Sequence, residues 1–175
     1  MHLQGFTLLE LLIVLIIMIL LLALGIPGLS THIENTQVST ASSSLTEAIA
    51  LTRSQAVISN TRTTLKNLGS WNRGWEIFID FDNNGMRGEH EKLIATHPQL
   101  NNVRITPNQP VRHYLSFIGS GESRFAGRTG EGAFQAGTLY ICPTGRGRGY
   151  ALILARGGRL RIQEINADQC AAGPT

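Results

Sequence analysis

From Phe6 to Ile26 the chain is an apolar run whose single charged residue is Glu10, and positions 11 to 24 contain no polar residue. As a helix its 21 residues reach about 31 Å at 1.5 Å per residue, which is enough to cross the hydrocarbon core of a bilayer. The mean hydropathy of +0.02 hides this segment, because everything after about Ser30 reads as water-soluble. With 175 residues there is room for one compact domain beside that appendage. A secretory signal is cleaved after its apolar core, whereas here the only plausible processing point, between Gly5 and Phe6, precedes it. An ionised Glu10 inside hydrocarbon costs on the order of 2.5–3.5 kcal/mol by insertion scales, so it calls for a partner.

Gly5, Phe6, Thr7, Leu8, Leu9 and Glu10 followed by an unbroken aliphatic run resemble the class III signal of type IV pilins and type II secretion pseudopilins. The resemblance implies cleavage after Gly5 by a prepilin peptidase, N-methylation of Phe6, and a role for Glu10 in assembly. Physically, Glu10 would neutralise the amino terminus of a neighbouring pilin subunit, a pair that neither chain can bury alone. The leader carries no Lys or Arg where the family usually places one, only His2. The expected organisation is a leader over 1–5, a membrane and filament-core helix over 6–28, and a globular head over 29–175. The resemblance implies a head in the periplasm while the chain is held in the inner membrane, and at the cell surface once the chain enters a pilus. Pro27 between Gly25 and Gly28 is expected to bend or loosen the helix.

From Leu29 to Leu68 there is neither Gly nor Pro, and Val38, Ala41, Leu45, Ala48 and Ile49 recur at helical spacing. This predicts a helix to about Asn60. Short strands are predicted at Arg62–Leu68, Trp75–Phe81, Lys92–Thr96, Val103–Ile105, Tyr114–Ile118, Thr138–Cys142, Tyr150–Leu154 and Leu160–Ile165. A helix followed by strands is an α+β pattern. The pilin resemblance implies the same class, with a long N-terminal helix whose second half lies on antiparallel sheet. Arg156-Gly157-Gly158-Arg159 has the Gly-Gly centre of a tight hairpin. Gly119 to Gly137 holds six glycines and little apolar pattern, and is predicted to be a mobile surface connection.

Charge is uneven: nine Arg against four Asp or Glu follow Asn101, and no lysine lies beyond Lys92. A guanidinium fork suits bidentate phosphate contacts better than an ammonium does. Asp80, Asp82, Asn84, Gly85 and Glu91 have calcium-loop spacing. Their flanks are strand-like rather than helical and Arg87 stands at an apolar position of the pattern, so a polar hairpin tip with no metal is expected. No nucleophile, zinc, Walker or dinucleotide signature occurs, and neither an enzyme nor a cofactor is expected. Cys142 and Cys170 lack zinc-ligand spacing. A single disulfide between them is expected in the oxidising compartment that an N-terminal export signal would supply, and only a cytosolic head would keep two thiols.

Gly145-Arg146-Gly147-Arg148-Gly149 places two arginines on a backbone that a ligand can approach closely. The segment resembles the GRxR motif of FimT-type minor type IV pilins, within the GspH/FimT pseudopilin family. That resemblance implies non-specific DNA binding for uptake in natural transformation. The candidate DNA-binding residues are Arg146 and Arg148 with Gly145 and Gly147, and the neighbouring Arg124, Arg128, Arg156, Arg159 and Arg161. Tyr150 is a secondary candidate for stacking on a base. The structural alternative is a GspH-like pseudopilin of a type II secretion system, or a primer of pilus assembly, whose arginines contact neighbouring subunits. It shares the fold and the processing.

Overall fold

The computed structural model describes the backbone of residues 7–127, 131–145 and 147–172, with the side chains of these except 23–31 and 171–172. Two compact units divide the chain, Met1–Ile33 and Glu34–Thr175. One helix, α1 (Leu8–Ser59), contributes to both. Its assignment runs through Pro27, so the expected loosening there does not end the helix.

In the first unit Leu8 to Leu22 are exposed on every side of the helix, from 47% at Ile13 to 82% at Leu8 among the large apolar residues. Such a surface needs apolar surroundings from outside its own chain. Among the described residues no helix is long and apolar enough to cross a membrane. Side chains of the run are described only as far as Leu22. Thr7 Oγ accepts the amide N–H of Glu10 at 3.2 Å, which is half of a capping box. Glu10 therefore stands at the helix position where an acid also suits the positive end of the dipole.

In the second unit Val38, Ala41, Leu45, Ala48, Ile49 and Ala56 form one buried stripe of α1. Asn60, at φ 48°, ends the helix in the left-handed conformation, and Thr61 N–H closes back on Ala56 O at 3.3 Å. The strands are β1 (Thr63–Asn67), β2 (Trp75–Ile79), β3 (Leu93–His97), β4 (Val103–Pro107), β5 (Tyr114–Phe117), β6 (Gly137–Pro143), β7 (Gly149–Leu154) and β8 (Leu160–Ile165). They build two antiparallel sheets, ordered β3-β2-β1-β5 and β4-β6-β7-β8. A short helix, α2 (Ala167–Ala172), follows β8. The helical stripe, Leu65, Trp75, Ile77, Leu115 and Phe117 of one sheet, and Ile105, Leu139, Ile141, Leu152 and Leu154 of the other share one core with Trp71. The α+β class and every predicted strand are present within a residue or two at each end.

The segment from Gly119 to Ala136 departs from expectation. Instead of a mobile connection, its described residues fold back along the open edge of β5, through bridges between Phe117 and Ser123 and between Arg124 and Phe134. Gln135, fully buried, receives Ser116 N–H at 3.0 Å and donates to Pro110 O and Tyr114 O at 2.8 and 2.9 Å. Ser116 is also met by Arg62, a residue only 4% exposed, through its guanidinium. It donates to Asn83 Oδ1 at 2.8 Å, Arg124 O at 3.0 Å, Glu131 O at 2.7 Å and Ser116 Oγ. A glycine-rich strip without a core of its own is held by polar side chains from elsewhere, which also cover an edge strand.

Candidate nucleic-acid interface

Sheet β4-β6-β7-β8 carries or borders Arg148, Arg156, Arg159 and Arg161, but at two ends. Cys142 at the end of β6 is bonded to Cys170 in α2, with Cα atoms 5.8 Å apart, and β7 follows at Gly149. Gly149 is required at the foot of this loop, since a Cβ would stand 2.5 Å from Cys170 Sγ and 2.7 Å from Ile141 O. Asn35 of α1 accepts Arg148 N–H at 3.2 Å. A Cβ on Gly147 would stand 2.7 Å from Asn35 Oδ1, and one on Gly145 would stand 2.6 Å from Glu34 Oε1. The Arg148 side chain, 75% exposed, pairs with Glu164 of β8 at 3.0 Å. Arg146 lies outside the described residues, as do Arg128, Gly5 and Phe6.

Arg156 and Arg159 do not join that loop. They flank the turn between β7 and β8, at the far end of a six-residue strand, which is about 20 Å at 3.3 Å per residue. The turn closes with Gly158 N–H on Ala155 O at 2.9 Å, and Gly158 has φ +75°, as the Gly-Gly pair predicts. Arg161 opposes Ile153 near this end. Arg124 belongs to neither end: it pairs with Glu122 at 2.9 Å and Glu131 at 3.8 Å, donates to Gly132 O at 3.0 Å, and covers the Phe134 ring at 4.2 Å. Its guanidinium organises the strip over β5, away from both groups of arginines. Tyr150 is half-buried against the core, so it serves packing.

Two arginines not singled out in the sequence join the arrangement. Arg104 opposes Cys142 across β4 and β6 and donates to Cys170 O at 3.2 Å. Arg53 of α1 reaches the opposite end, donating through Nε to Gly121 O at 2.9 Å. Strand alternation signals that Arg104 faces out, between buried Val103 and Ile105. Nothing local signals its neighbour.

The Asp80–Glu91 loop closes as a hairpin tip between β2 and β3. Ligand atoms of Asp80, Asp82 and Glu91 all lie within 4.8 Å of one another. Each carboxylate oxygen accepts a bond from the chain itself. Asp80 accepts Thr64 O–H, Asn84 N–H and Gly85 N–H, each at 3.0 Å. Asp82 accepts the Asn84 backbone N–H at 3.1 Å and its side-chain amide at 2.6 Å. Glu91 accepts Phe81 N–H and Gly88 N–H, both at 2.8 Å. The loop's oxygens thus satisfy its own amide donors.

Burial pushes the Asp80 carboxyl above its ordinary range, against the hydrogen bonds from Thr64 and Gly85 that favour the anion, and nearby Glu91 adds to the rise. An acid whose pKa is raised by folding contributes stability below its unfolded value, and this is lost as pH rises through the folded one. Wild type is therefore expected to gain stability relative to Asp80→Asn as pH falls from 7 towards 4. Urea unfolding across that range checks this; a constant difference between the two proteins would refute it.

No curated protein sequence matches the chain. Two crystal structures of the type IV minor pilin FimU of Pseudomonas aeruginosa share its fold at 20% identity. One has a TM-score of 0.58, covering 74% of this chain and 90% of that one. The other has a TM-score of 0.55, covering 71% and 91%. The sequence profile described as type II transport protein GspH matches residues 41–158, from the buried stripe of α1 to the turn between β7 and β8, and the chain belongs to the GspH family.

Proposed function

We propose that this chain is a FimT-like minor type IV pilin that captures DNA without reading its sequence, for uptake in natural transformation. The carrying observation is the Gly145–Gly149 loop, built on a disulfide-closed base and presenting Arg148 at 75% exposure. Its bond to Glu164 is an exposed pair of the kind worth about 0.2–1 kcal/mol, so a phosphate can replace the carboxylate. Arg104 adds charge at the same end of the sheet. Contacts of this type carry no base information and weaken with salt, and display of several subunits would add avidity.

The N-terminal pattern supports cleavage after Gly5, methylation of Phe6 and membrane residence before assembly. It also supports pairing of Glu10 with the amino terminus of a neighbouring pilin subunit in the filament. The second reading, a GspH-like pseudopilin or assembly primer without DNA binding, is favoured by the family profile and by the carboxylates of Glu34 and Glu164 beside the loop.

The test is duplex DNA binding by the full chain in neutral detergent at low salt, beside Arg146→Ala/Arg148→Ala. About a tenfold loss is expected in the double variant, with an unchanged thermal midpoint. Equal affinity would remove the loop from the site, and no binding by wild type would select the second reading.

A further inference from the structure

The β7–β8 ribbon meets α1 at both ends: Arg148 N–H bonds to Asn35 Oδ1 at 3.2 Å, and Gly158 packs beside the Arg53 side chain, whose Nε would stand 3.2 Å from a Cβ there. Asn35 and Arg53 are 18 helical residues apart, about 27 Å at 1.5 Å per residue. The two ends differ in charge balance. At the first, Arg148 faces Glu164 at 3.0 Å and the Glu34 carboxylate borders Gly145.

At the second, Arg156 and Arg159 flank the exposed turn and Arg53 reaches across from the helix, while Arg161, opposite Ile153 in β8, adds charge on the sheet face turned from the helix. None of these four forms an ion pair among the described residues. Glu122, beside the Gly121 carbonyl that holds Arg53, is already paired with Arg124 at 2.9 Å. Gly158 brings the turn against Gly121 O and the Arg53 side chain with no room for a Cβ, so the turn is packed on the strip after β5. Among the described residues the first end thus sets Arg104 and Arg148 against Glu34 and Glu164, and the end that the glycine-arginine motif does not mark carries the excess of positive charge.

We infer that this turn, with Arg53, Arg156 and Arg159, is a second phosphate-binding seat, and that a DNA duplex lies along the ribbon and contacts both ends at once. The inference rests on the DNA-binding reading above and gives it a footprint: about 27 Å corresponds to about eight base pairs at 3.4 Å each. Two seats on one rigid ribbon meet the same polymer, so the second contact forms at high effective concentration. Arginine at every position of the seat suits phosphate oxygens over a compact cation's ligands.

The experiment measures affinity of the full chain in neutral detergent for a 20-base-pair duplex, by fluorescence anisotropy, across salt from 25 to 200 mM. Arg156→Ala/Arg159→Ala is expected to bind about tenfold more weakly at the lowest salt. Its slope of log affinity against log salt should be shallower by about 1.8, two phosphates at roughly 0.9 each. Both positions are exposed flanks of a turn whose glycines are kept, so the thermal midpoint should not move. Arg148→Ala is measured in parallel. A slope lowered by Arg148→Ala but unaffected by the turn variant would overturn the second seat and leave the DNA reading standing. Absence of binding by wild type at 25 mM salt would overturn both.

Discussion

Replacing Arg62 with Met is expected to lower stability by about 3–5 kcal/mol, a large share of the roughly 5–15 kcal/mol that holds a domain together. Arg62 is 4% exposed, and its guanidinium serves Asn83, Ser116 and the carbonyls of Arg124 and Glu131 together. Methionine fills the volume of the stem and donates nothing. The Glu131 carbonyl and Asn83 Oδ1 lose their donor, and a buried acceptor left unsatisfied costs about 1–3 kcal/mol. Burial already pushes the guanidinium below its ordinary pKa, opposed by the favourable field of Asp80, so the charge also offsets that carboxylate's presence in the interior.

Arg62→Lys should fall between wild type and Met, because an ammonium keeps the charge but cannot serve four acceptors spread around a planar fork. Urea unfolding followed by fluorescence of the buried Trp71 and Trp75 measures the loss. The same variant should be cut faster by trypsin at Arg124 under native conditions, because the strip over β5 is released first. Equal stability of the Met variant and wild type would mean that Arg62 is not what holds the strip.

Removing the Cys142–Cys170 disulfide, by Cys142→Ser/Cys170→Ser, is expected to lower stability by about 3.5 kcal/mol. The bond closes a loop with a sequence separation of 28, and chain-entropy arithmetic for that length gives this figure. For a chain of this size the melting midpoint should fall by about 10 °C. The loss should also have a local component. Cys170 O accepts Arg104, and its sulfur abuts Gly149, so α2 and the foot of the arginine loop loosen together. Amide exchange should therefore quicken in residues 144–150 and 167–172 before the rest of the sheet. Melting curves that coincide with and without reductant would show that the bond contributes nothing.

Much of this architecture was legible because its signals are local. The buried stripe of α1 follows from helical spacing of Val38 to Ile49, and the β7–β8 turn from two adjacent glycines that tolerate positive φ. Alternation located the strands, since a one-residue shift would turn apolar side chains outward. The strip after Ile118 was misread because its order comes from Arg62 and Gln135, whose bonds span up to 69 residues of sequence. Glycine content describes what a backbone is free to do, and not what a distant side chain makes it do.

The arginines show the same division. By itself the sequence determined that the C-terminal part is basic, that two arginines share a glycine loop, and that the N-terminal run needs apolar surroundings, because charge and hydropathy are properties of each residue. Only the tertiary structure decided which arginines act together. Strand β7 carries Arg148 and Arg156 to opposite ends, Glu122 and Glu131 occupy Arg124, and α1 brings Arg53 to a turn more than a hundred residues away. Electrostatic interaction falls off with distance in space, and distance in space is set by the fold.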